Sequence, residues 1–108
     1  MANTFTSAAT GSTTAVTTLY TCPAATSAVI HAMYLSNVDG TNDATVNVSI
    51  SCSANFDTRR FILKTVDVPA DTTVVIEKPI NLGAADKLET QASANDDIDV
   101  FASILEIT

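Results

Sequence analysis

Apolar and polar residues alternate with a period of two in parts of the chain after residue 14, and other segments there are rich in β-branched and aromatic residues. The clearest example is residues 44–53, where Val46, Val48 and Ile50 alternate with threonine, asparagine and serine. This period predicts β-strands with one buried and one solvated face. No segment repeats apolar residues at the i, i+3, i+4, i+7 spacing of a buried helix face. Seven segments are predicted strands: residues 15–21, 28–37, 44–53, 60–68, 72–80, 87–93 and 98–107.

Turn residues separate these segments at short and regular intervals. Pro23, Asp39-Gly40, Pro69 and Gly83 each follow an apolar run, and proline and glycine favour turns over continued strand pairing. Several short strands spaced in this way within 108 residues predict a single domain that is all-β. We expect a Greek-key or immunoglobulin-like β-sandwich of about seven strands, with a jelly roll as the alternative.

Two predicted strands contain apolar residues at both alternating sets of positions. In 28–37, the pattern places His31 on the same face as Val29, Met33 and Leu35. The single histidine is therefore expected to be a core or interface residue and not a general base. In 98–107, one face is predicted to carry Ile98, Val100, Ala102 and Ile104, and the other Phe101, Leu105 and Ile107.

Residues 1–14 differ from the rest of the chain because they are small, polar and uncharged, with Phe5 as their one aromatic residue. Such a segment cannot build a core by itself, but its backbone can pair with a neighbouring subunit. We expect an extended N-terminal arm over residues 1–14 and a sandwich domain over 15–108. On this prediction, deletion of the arm leaves a folded domain.

The charge balance excludes several partners. Lys and Arg total 5 and Asp and Glu total 12, a net charge of −7, and no charged residue precedes Asp39. Nucleic acids and anionic membrane surfaces both require a basic surface, so neither is an expected partner. No apolar run is long enough to span a bilayer, and the N-terminus lacks the basic and apolar regions of a signal peptide. We expect synthesis in a cytoplasm.

Catalytic motifs are absent from the sequence. The chain has 3 glycines, too few and too scattered for a phosphate-binding loop, and it contains no G-x-S-x-G element. Cys22 and Cys52 match no zinc spacing and are expected to be small buried thiols, with a disulfide as the alternative. We therefore predict a protein that is not an enzyme and has no cofactor.

Two acidic turns offer the oxygen ligands that calcium prefers. Asp39 and Asp43 lie in the first turn, and Asp96, Asp97 and Asp99 in the second. Asp and Asn are also common in turns without a metal, because their side chains bond to their own backbone. We treat the five residues as weak calcium candidates.

Two stretches of the chain, 28–51 and 66–107, carry a family resemblance. Its marks are the strand AVIHAMYLSN, the turns DGTND and VPADTT, the L-x-x-x-D-K-L turn over residues 82–88, and the terminal strand DVFASILEI. These resemble small β-sandwich virion proteins of tailed bacteriophages, chiefly aquatic and cyanobacterial phages. Ala85 departs from the pattern, because related turns often carry glycine there. The resemblance implies a structural virion component without enzymatic activity.

The function expected first is a capsid decoration, or cement, protein that bridges subunits of the major capsid protein, as a homo-oligomer localised in the virion. The first alternative is a tail, neck or baseplate component. The second is a host-surface or carbohydrate-binding module with Tyr20, Tyr34 or Phe56 as a stacking platform.

Subunit contacts are predicted for two parts of the chain. The uncharged N-terminal part contributes exposed or strand-forming residues, and an arginine pair could bind a partner carboxylate in bidentate fashion. The candidate interface residues are Phe5, Thr13, Val16, Leu19, Tyr20, Arg59 and Arg60.

Overall fold

The computed structural model describes residues 3–51, 60–95 and 97–108. They form nine strands, and no helix occurs in these ranges. The strands are β1 (Asn3–Ser12), β2 (Thr17–Thr21), β3 (Ser27–Asn37), β4 (Ala44–Ser51), β5 (Arg60–Val68), β6 (Thr73–Ile76), β7 (Ile80–Leu82), β8 (Lys87–Ala92) and β9 (Ile98–Ile107).

The strands pair in a nested order. β1 pairs with β9, β2 with β8, β3 with β6 and β7, and β4 with β5, always antiparallel. The chain is thus folded back on itself as one long antiparallel ribbon. Additional pairing of β9 with β3 and of β8 with β4 closes this ribbon into two sheets. One sheet has the order β1-β9-β3-β6 with β7 also beside β3, and the other has the order β2-β8-β4-β5.

This strand order defines the topology. The predicted all-β sandwich is confirmed. In an immunoglobulin sandwich the first two strands are neighbours in one sheet, whereas here β1 and β2 lie in different sheets. With β6 and β7 counted as one interrupted strand, the nested pairing is that of a jelly roll, the alternative that the sequence left open.

The core lies between the two sheets and consists of aliphatic side chains. The five-stranded sheet contributes residues from β3 and β9, and the four-stranded sheet contributes residues from β4 and β8. Each fully buried Val, Leu or Ile stabilises the fold by about 1.5–3 kcal/mol. The largest of these buried side chains are Ile30, Met33, Leu35, Ile98, Val100, Ile104, Val46, Val48 and Leu88.

A β-bulge in β3 overturns one prediction. Ile30 lies opposite Ile104 and Ala32 opposite Ser103, so His31 is an extra residue without a partner position on β9. An inserted residue reverses the alternation beyond it. His31 is therefore exposed and lies outside the core, while Met33 is buried with Ile30. The prediction that His31 shares a face with Met33 and Leu35 was wrong for this reason.

The predicted strand 72–80 is two strands. β6 ends at Ile76 and β7 begins at Ile80. The interruption ends at Pro79, which has no backbone N–H to donate to a ladder. This break and the strand at the N-terminus account for the difference between the seven predicted strands and the nine observed.

The N-terminal segment is a strand of the sandwich. Ten consecutive residues of β1 pair with β9 of the same chain, without a register shift. Ser12 is buried and its hydroxyl donates to Thr90 Oγ1 at 3.4 Å, and the Thr13 carbonyl accepts from the Ala92 N–H at 2.8 Å. The described part of 1–14 is therefore not an arm separate from the domain.

The position of β1 predicts a graded response to truncation. Residues 3–7 are exposed, whereas Ser12 is buried. We expect deletion of residues 1–6 to lower the melting temperature by a few degrees. Deletion of residues 1–12 removes the whole strand and uncovers one edge of β9. We expect the free energy of unfolding to fall by about 2–3 kcal/mol, which lowers the melting temperature by about 10 °C or more. Thermal denaturation followed by circular dichroism measures both, and equal melting temperatures would contradict the role assigned to β1.

The turn from Gly83 to Asp86 holds Ala85 at a φ of 69°. The Ala85 N–H donates to the Cys22 carbonyl at 2.9 Å, and the Asp86 N–H donates to the Gly83 carbonyl at 3.1 Å. The Gly83 N–H in turn donates to Asp86 Oδ2 at 2.8 Å. A left-handed backbone costs a residue with a Cβ about 1–2 kcal/mol, which explains why glycine suits this position.

We expect Ala85→Gly to raise the free energy of unfolding by roughly 0.5–1 kcal/mol. The relief of left-handed strain exceeds the extra entropy of glycine in the unfolded chain, about 0.4–1 kcal/mol. Urea denaturation measures the change. Ala84→Gly is the matched control, because Ala84 has no positive φ and should lose stability. If both substitutions lower the free energy of unfolding equally, Ala85 is not strained.

Candidate interaction surface

The outer face of the five-stranded sheet carries a row of exposed apolar side chains. Register places Ala9, Phe101, Tyr34 and Val75 opposite one another on β1, β9, β3 and β6. Phe101 and Tyr34 are each 43% exposed, and Val75 is 41% exposed. The Tyr34 and Phe101 rings lie 6.2 Å apart between centroids, tilted by 45°. These rings form an aromatic pair that faces solvent.

A second apolar row crosses the same face. Phe5, Leu105 and Val29 lie opposite one another on β1, β9 and β3. Leu105 and Val29 are half-buried, while Phe5 is 79% exposed. Together the two rows span the sheet from its β1 edge to β3 and β6. A row of Ser7, Ser103 and Ala32 lies between them. Exposed apolar residues grouped on one face in this way mark sites of contact with other molecules.

Charge is almost absent from this face. Its described residues are apolar, Ser, Thr, Asn or Gly, apart from Asp99 on β9 and the exposed His31. We call this surface the outer face of the five-stranded sheet. Its described residues are Asn3, Phe5, Ser7, Ala9, Gly11, Ser27, Val29, His31, Ala32, Tyr34, Ser36, Thr73, Val75, Asn81, Asp99, Phe101, Ser103, Leu105 and Ile107.

A shallow hollow of about 340 Å³ opens on this face beside β1. Ala9, Tyr34 and Phe101 line it, and Ser36 and Asp99 lie at one side. Ala9 is the smallest member of its cross-strand row, so the aromatic side chains stand higher than the strand next to them. The hollow therefore borders β1, the edge strand of the sheet.

The predicted interface residues do not form one surface. Phe5 lies on the outer face, whereas Val16, 42% exposed, lies in the turn between β1 and β2. Thr13 begins that turn, and Leu19 packs against the core from the four-stranded sheet. Arg60 is exposed at the start of β5. Arg59 lies outside the described residues.

Tyr20 is held by a hydrogen bond within the chain. Its hydroxyl donates to Glu106 Oε2 at 2.5 Å, and its ring packs against the core. Burial raises the pKa of Tyr20 far above its usual value, and the carboxylate of Glu106 raises it further. Of the other proposed stacking residues, Tyr34 is tilted against Phe101, and Phe56 lies outside the described residues.

Sequence reasoning found only part of the outer face. Phe5, its most exposed member, was a predicted contact residue, and Tyr34 was named only as a stacking candidate for carbohydrate. Phe101 and Val75 were not predicted. The signal was present in residues 98–107, which are apolar on both alternating faces. A strand whose two faces are both apolar needs cover on both sides. Only one side of β9 faces the core.

The first acidic turn uses its carboxylates as backbone caps. Asp39 Oδ1 accepts from the N–H groups of Thr41 at 2.8 Å and Asn42 at 3.3 Å. The Thr41 N–H, followed by the Asn42 side chain, lowers the pKa of Asp39. Asp43 Oδ1 accepts from the Ala70 N–H at 3.0 Å. The carboxylates of Asp39 and Asp43 therefore stabilise the turns by accepting backbone hydrogen bonds, which explains their presence without a metal ion.

The second acidic turn contains Asp97 and the exposed Asp99, while Asp96 lies outside the described residues. The Asp97 carbonyl accepts from the Val38 N–H at 2.8 Å, which ties the two turns together. Within residues 3–51, 60–95 and 97–108, no three His, Cys, Asp or Glu side chains come close enough to hold a metal ion.

Cys22 is a buried thiol, as predicted. Its Sγ lies 3.3 Å from the Thr26 carbonyl. Burial raises the pKa of Cys22, with smaller contributions from Asp86 and Glu106. Cys52 lies outside the described residues, so its pairing stays a prediction.

Comparison of the chain with protein families, with curated protein sequences and with solved structures finds no significant match. In the part of the chain that the structure describes, no helix has the length and hydropathy needed to cross a membrane. The function is therefore argued from the outer face and the fold.

The Tyr20–Glu106 bond predicts a loss of stability at alkaline pH. Because the folded pKa of Tyr20 lies above its ordinary value, this stabilisation is complete below about pH 10 and is lost as the pH rises further. At pH 8 we expect the free energy of unfolding of wild type to exceed that of Tyr20→Phe by about 1 kcal/mol. Urea denaturation between pH 8 and pH 11 should show the difference shrinking. A constant difference would contradict the assignment.

Proposed function

We propose that the chain is a structural protein of a virion, a capsid decoration protein that bridges subunits of the major capsid protein. The observation that carries this proposal is the outer face of the five-stranded sheet, which is apolar and nearly free of charge. Burying such a face does not remove charges from water, which is the largest cost of forming many interfaces. The acidic turns remain in contact with solvent.

Two further observations support the proposal. The jelly roll is a fold that viral capsid proteins use repeatedly, although a fold alone does not define a function. The strand and turn motifs that resemble phage virion proteins occupy ordered parts of the sandwich. AVIHAMYLSN lies entirely within β3, and DVFASILEI lies within β9. Both of these strands supply exposed aromatic residues to the outer face.

A tail, neck or baseplate component is the alternative within the same class. The outer face serves either location, because both require apolar contacts between subunits. The copy number per particle separates them. Quantitative mass spectrometry of purified virions should give a number comparable to that of the major capsid protein for a head location. A copy number equal to the number of subunits in a single ring would indicate a tail, neck or baseplate location.

A carbohydrate-binding module remains the second alternative, since lectin domains also use the jelly roll. The exposed Tyr34–Phe101 pair is the feature that favours it. The rings are tilted by 45° and do not form a flat platform for a sugar ring. Specific binding to a glycan array, lost in Phe101→Ser, would replace the virion proposal.

Substitution on the outer face tests the proposed function. Phe101 and Phe61 are 43% and 44% exposed, but they lie on opposite sheets. We expect Phe101→Ser to weaken binding to mature capsids that lack the protein by tenfold or more, because aromatic anchors dominate interface energies. Phe61→Ser is the matched control and should bind as wild type does.

Co-sedimentation with capsids measures the occupancy, and thermal denaturation checks that both variants fold. The proposal fails if wild type does not bind capsids. The assignment of the outer face fails if Phe101→Ser and Phe61→Ser bind equally well.

A further inference from the structure

The free edge of β1 lacks the features that normally keep sheet edges apart. β1 has ten residues, and its sequence contains no charged residue and no proline. Its pairing with β9 has no register shift, so no bulge twists the edge away. Within the described residues, its other edge pairs with no strand. Long, uncharged, regular edges of this kind are templates for pairing with another chain.

The other three edges of the two sheets are protected. β2 has only five residues and contains a register shift. β5 carries Lys64 and Asp67 and is interrupted by register shifts in its pairing with β4. The edge formed by β6 and β7 is broken before Pro79. Short strands, charges, bulges and prolines are the usual means of blocking edge pairing.

The N-terminal half of β1 also has little cover from its own chain. Phe5 and Ser7 are exposed on the outer face, and Thr4 and Thr6, which point the other way, are exposed as well. This half is therefore held chiefly by its backbone ladder to β9. A second strand at the free edge would satisfy the outward backbone groups of these residues.

We propose that β1 is the pairing site for a second copy of this chain. The two β1 strands run antiparallel about a two-fold axis through Ser7. This register sets Asn3 opposite Gly11 of the second copy and Phe5 opposite its Ala9. The five-stranded sheets of the two copies then form one continuous sheet. The inference goes beyond the virion proposal and does not require it.

Strand geometry restricts the register. Every second residue of an edge strand directs its N–H and C=O groups outward. In an antiparallel pair, two residues that lie directly opposite each other either both direct these groups toward the partner strand or both direct them away. Two identical strands therefore pair with the two-fold axis at a residue, and not between two residues. An axis at Ser7 pairs every residue from Asn3 to Gly11. It stops short of Ser12, which is buried against Thr90.

Shape favours a second copy over an unrelated partner. Phe5 is the most exposed large apolar residue described, at 79%, and the hollow of about 340 Å³ lies beside Ala9 on the same strand. The axis at Ser7 brings Phe5 of each copy against Ala9 of the other, next to Phe101. Each copy thus carries both the projecting ring on β1 and, beside that strand, the hollow that receives it, as an isologous interface requires.

Charge opposes pairing least at the β1 edge. Each copy carries a net charge of −7, so two copies repel each other on most approaches. Along the β1 edge the nearest acidic residue on the outer face is Asp99, opposite Gly11 of its own chain. In the proposed register the residue of the second copy on the same cross-strand row is the uncharged Asn3, which lies opposite Gly11. No two carboxylates on this face are brought into contact.

The interface is small for a stable dimer. Nine paired residues with two inserted phenylalanines fall below the roughly 1,200 Å² of a standard interface. We therefore expect a weak dimer that is populated at high protein concentration. Sedimentation velocity of the purified full chain over a wide concentration range measures it.

Substitution of Ser7 tests the position of the axis. Ser7→Glu places two carboxylates opposite each other, where like charges destabilise the pair. Ser7→Gln has the same shape without the charge. We expect Ser7→Glu to raise the dissociation constant at least tenfold relative to Ser7→Gln. Ser7 is exposed, so both variants should fold, which circular dichroism checks. Equal dissociation constants for the two variants overturn the proposed axis.

Cross-linking provides a second measurement. In a Cys52→Ser background, Ser7→Cys should give a covalent dimer with a short bis-maleimide, because opposite Cα atoms lie about 4.5–5.5 Å apart. Asn3→Cys is the control, since its two copies are about 27 Å apart at 3.4 Å per residue. Cys22 is buried and should not react. A wild type that is monomeric at every concentration, or cross-linking from position 3 equal to that from position 7, overturns the proposal.

Discussion

The pairing of β9 with both β1 and β3 is the constraint on which the rest of the structure depends. β9 lies inside the five-stranded sheet and pairs along its length with strands from the beginning and the first third of the chain. Its residues Val100 and Ile104 enter the core, while Phe101 and Leu105 remain on the outer face. One strand thereby joins the distant ends of the ribbon, supplies the core and contributes to the outer face of the sheet.

The inner face of that sheet is covered and its outer face is not, and this difference explains why charged residues are concentrated in the turns. The inner face is satisfied by the four-stranded sheet, whereas the outer face exposes aromatic side chains that gain from being covered. A protein with such a face remains soluble through charge elsewhere. The acidic residues Asp39 and Asp97 occupy turns, away from the rows of the outer face. The uncharged first 38 residues follow the same division, since β1 and β3 both contribute to that face.

Local pattern predicted much of the fold and part of the surface. Alternation in residues such as Val46 and Val48 identifies a half-buried strand without reference to any other part of the chain. Phe5 was predicted as a contact residue because it is the one large apolar residue in a polar segment. Phe101 was not, since alternation does not tell which of two apolar faces meets the core. The bulge at His31 was also not predictable, because it arises from the pairing of β3 with β9.

By itself, the sequence determined the all-β class, most of the strand positions, the turns and the absence of charge before Asp39. Each of these depends on residues that are close together in the chain. Only the tertiary structure decided that residues 3–12 complete a sheet and that the sandwich is a jelly roll. It also decided that Phe101 faces solvent. These features depend on pairing between strands that are distant in the chain, and the backbone hydrogen bonds that form such pairs are the same for almost every side chain.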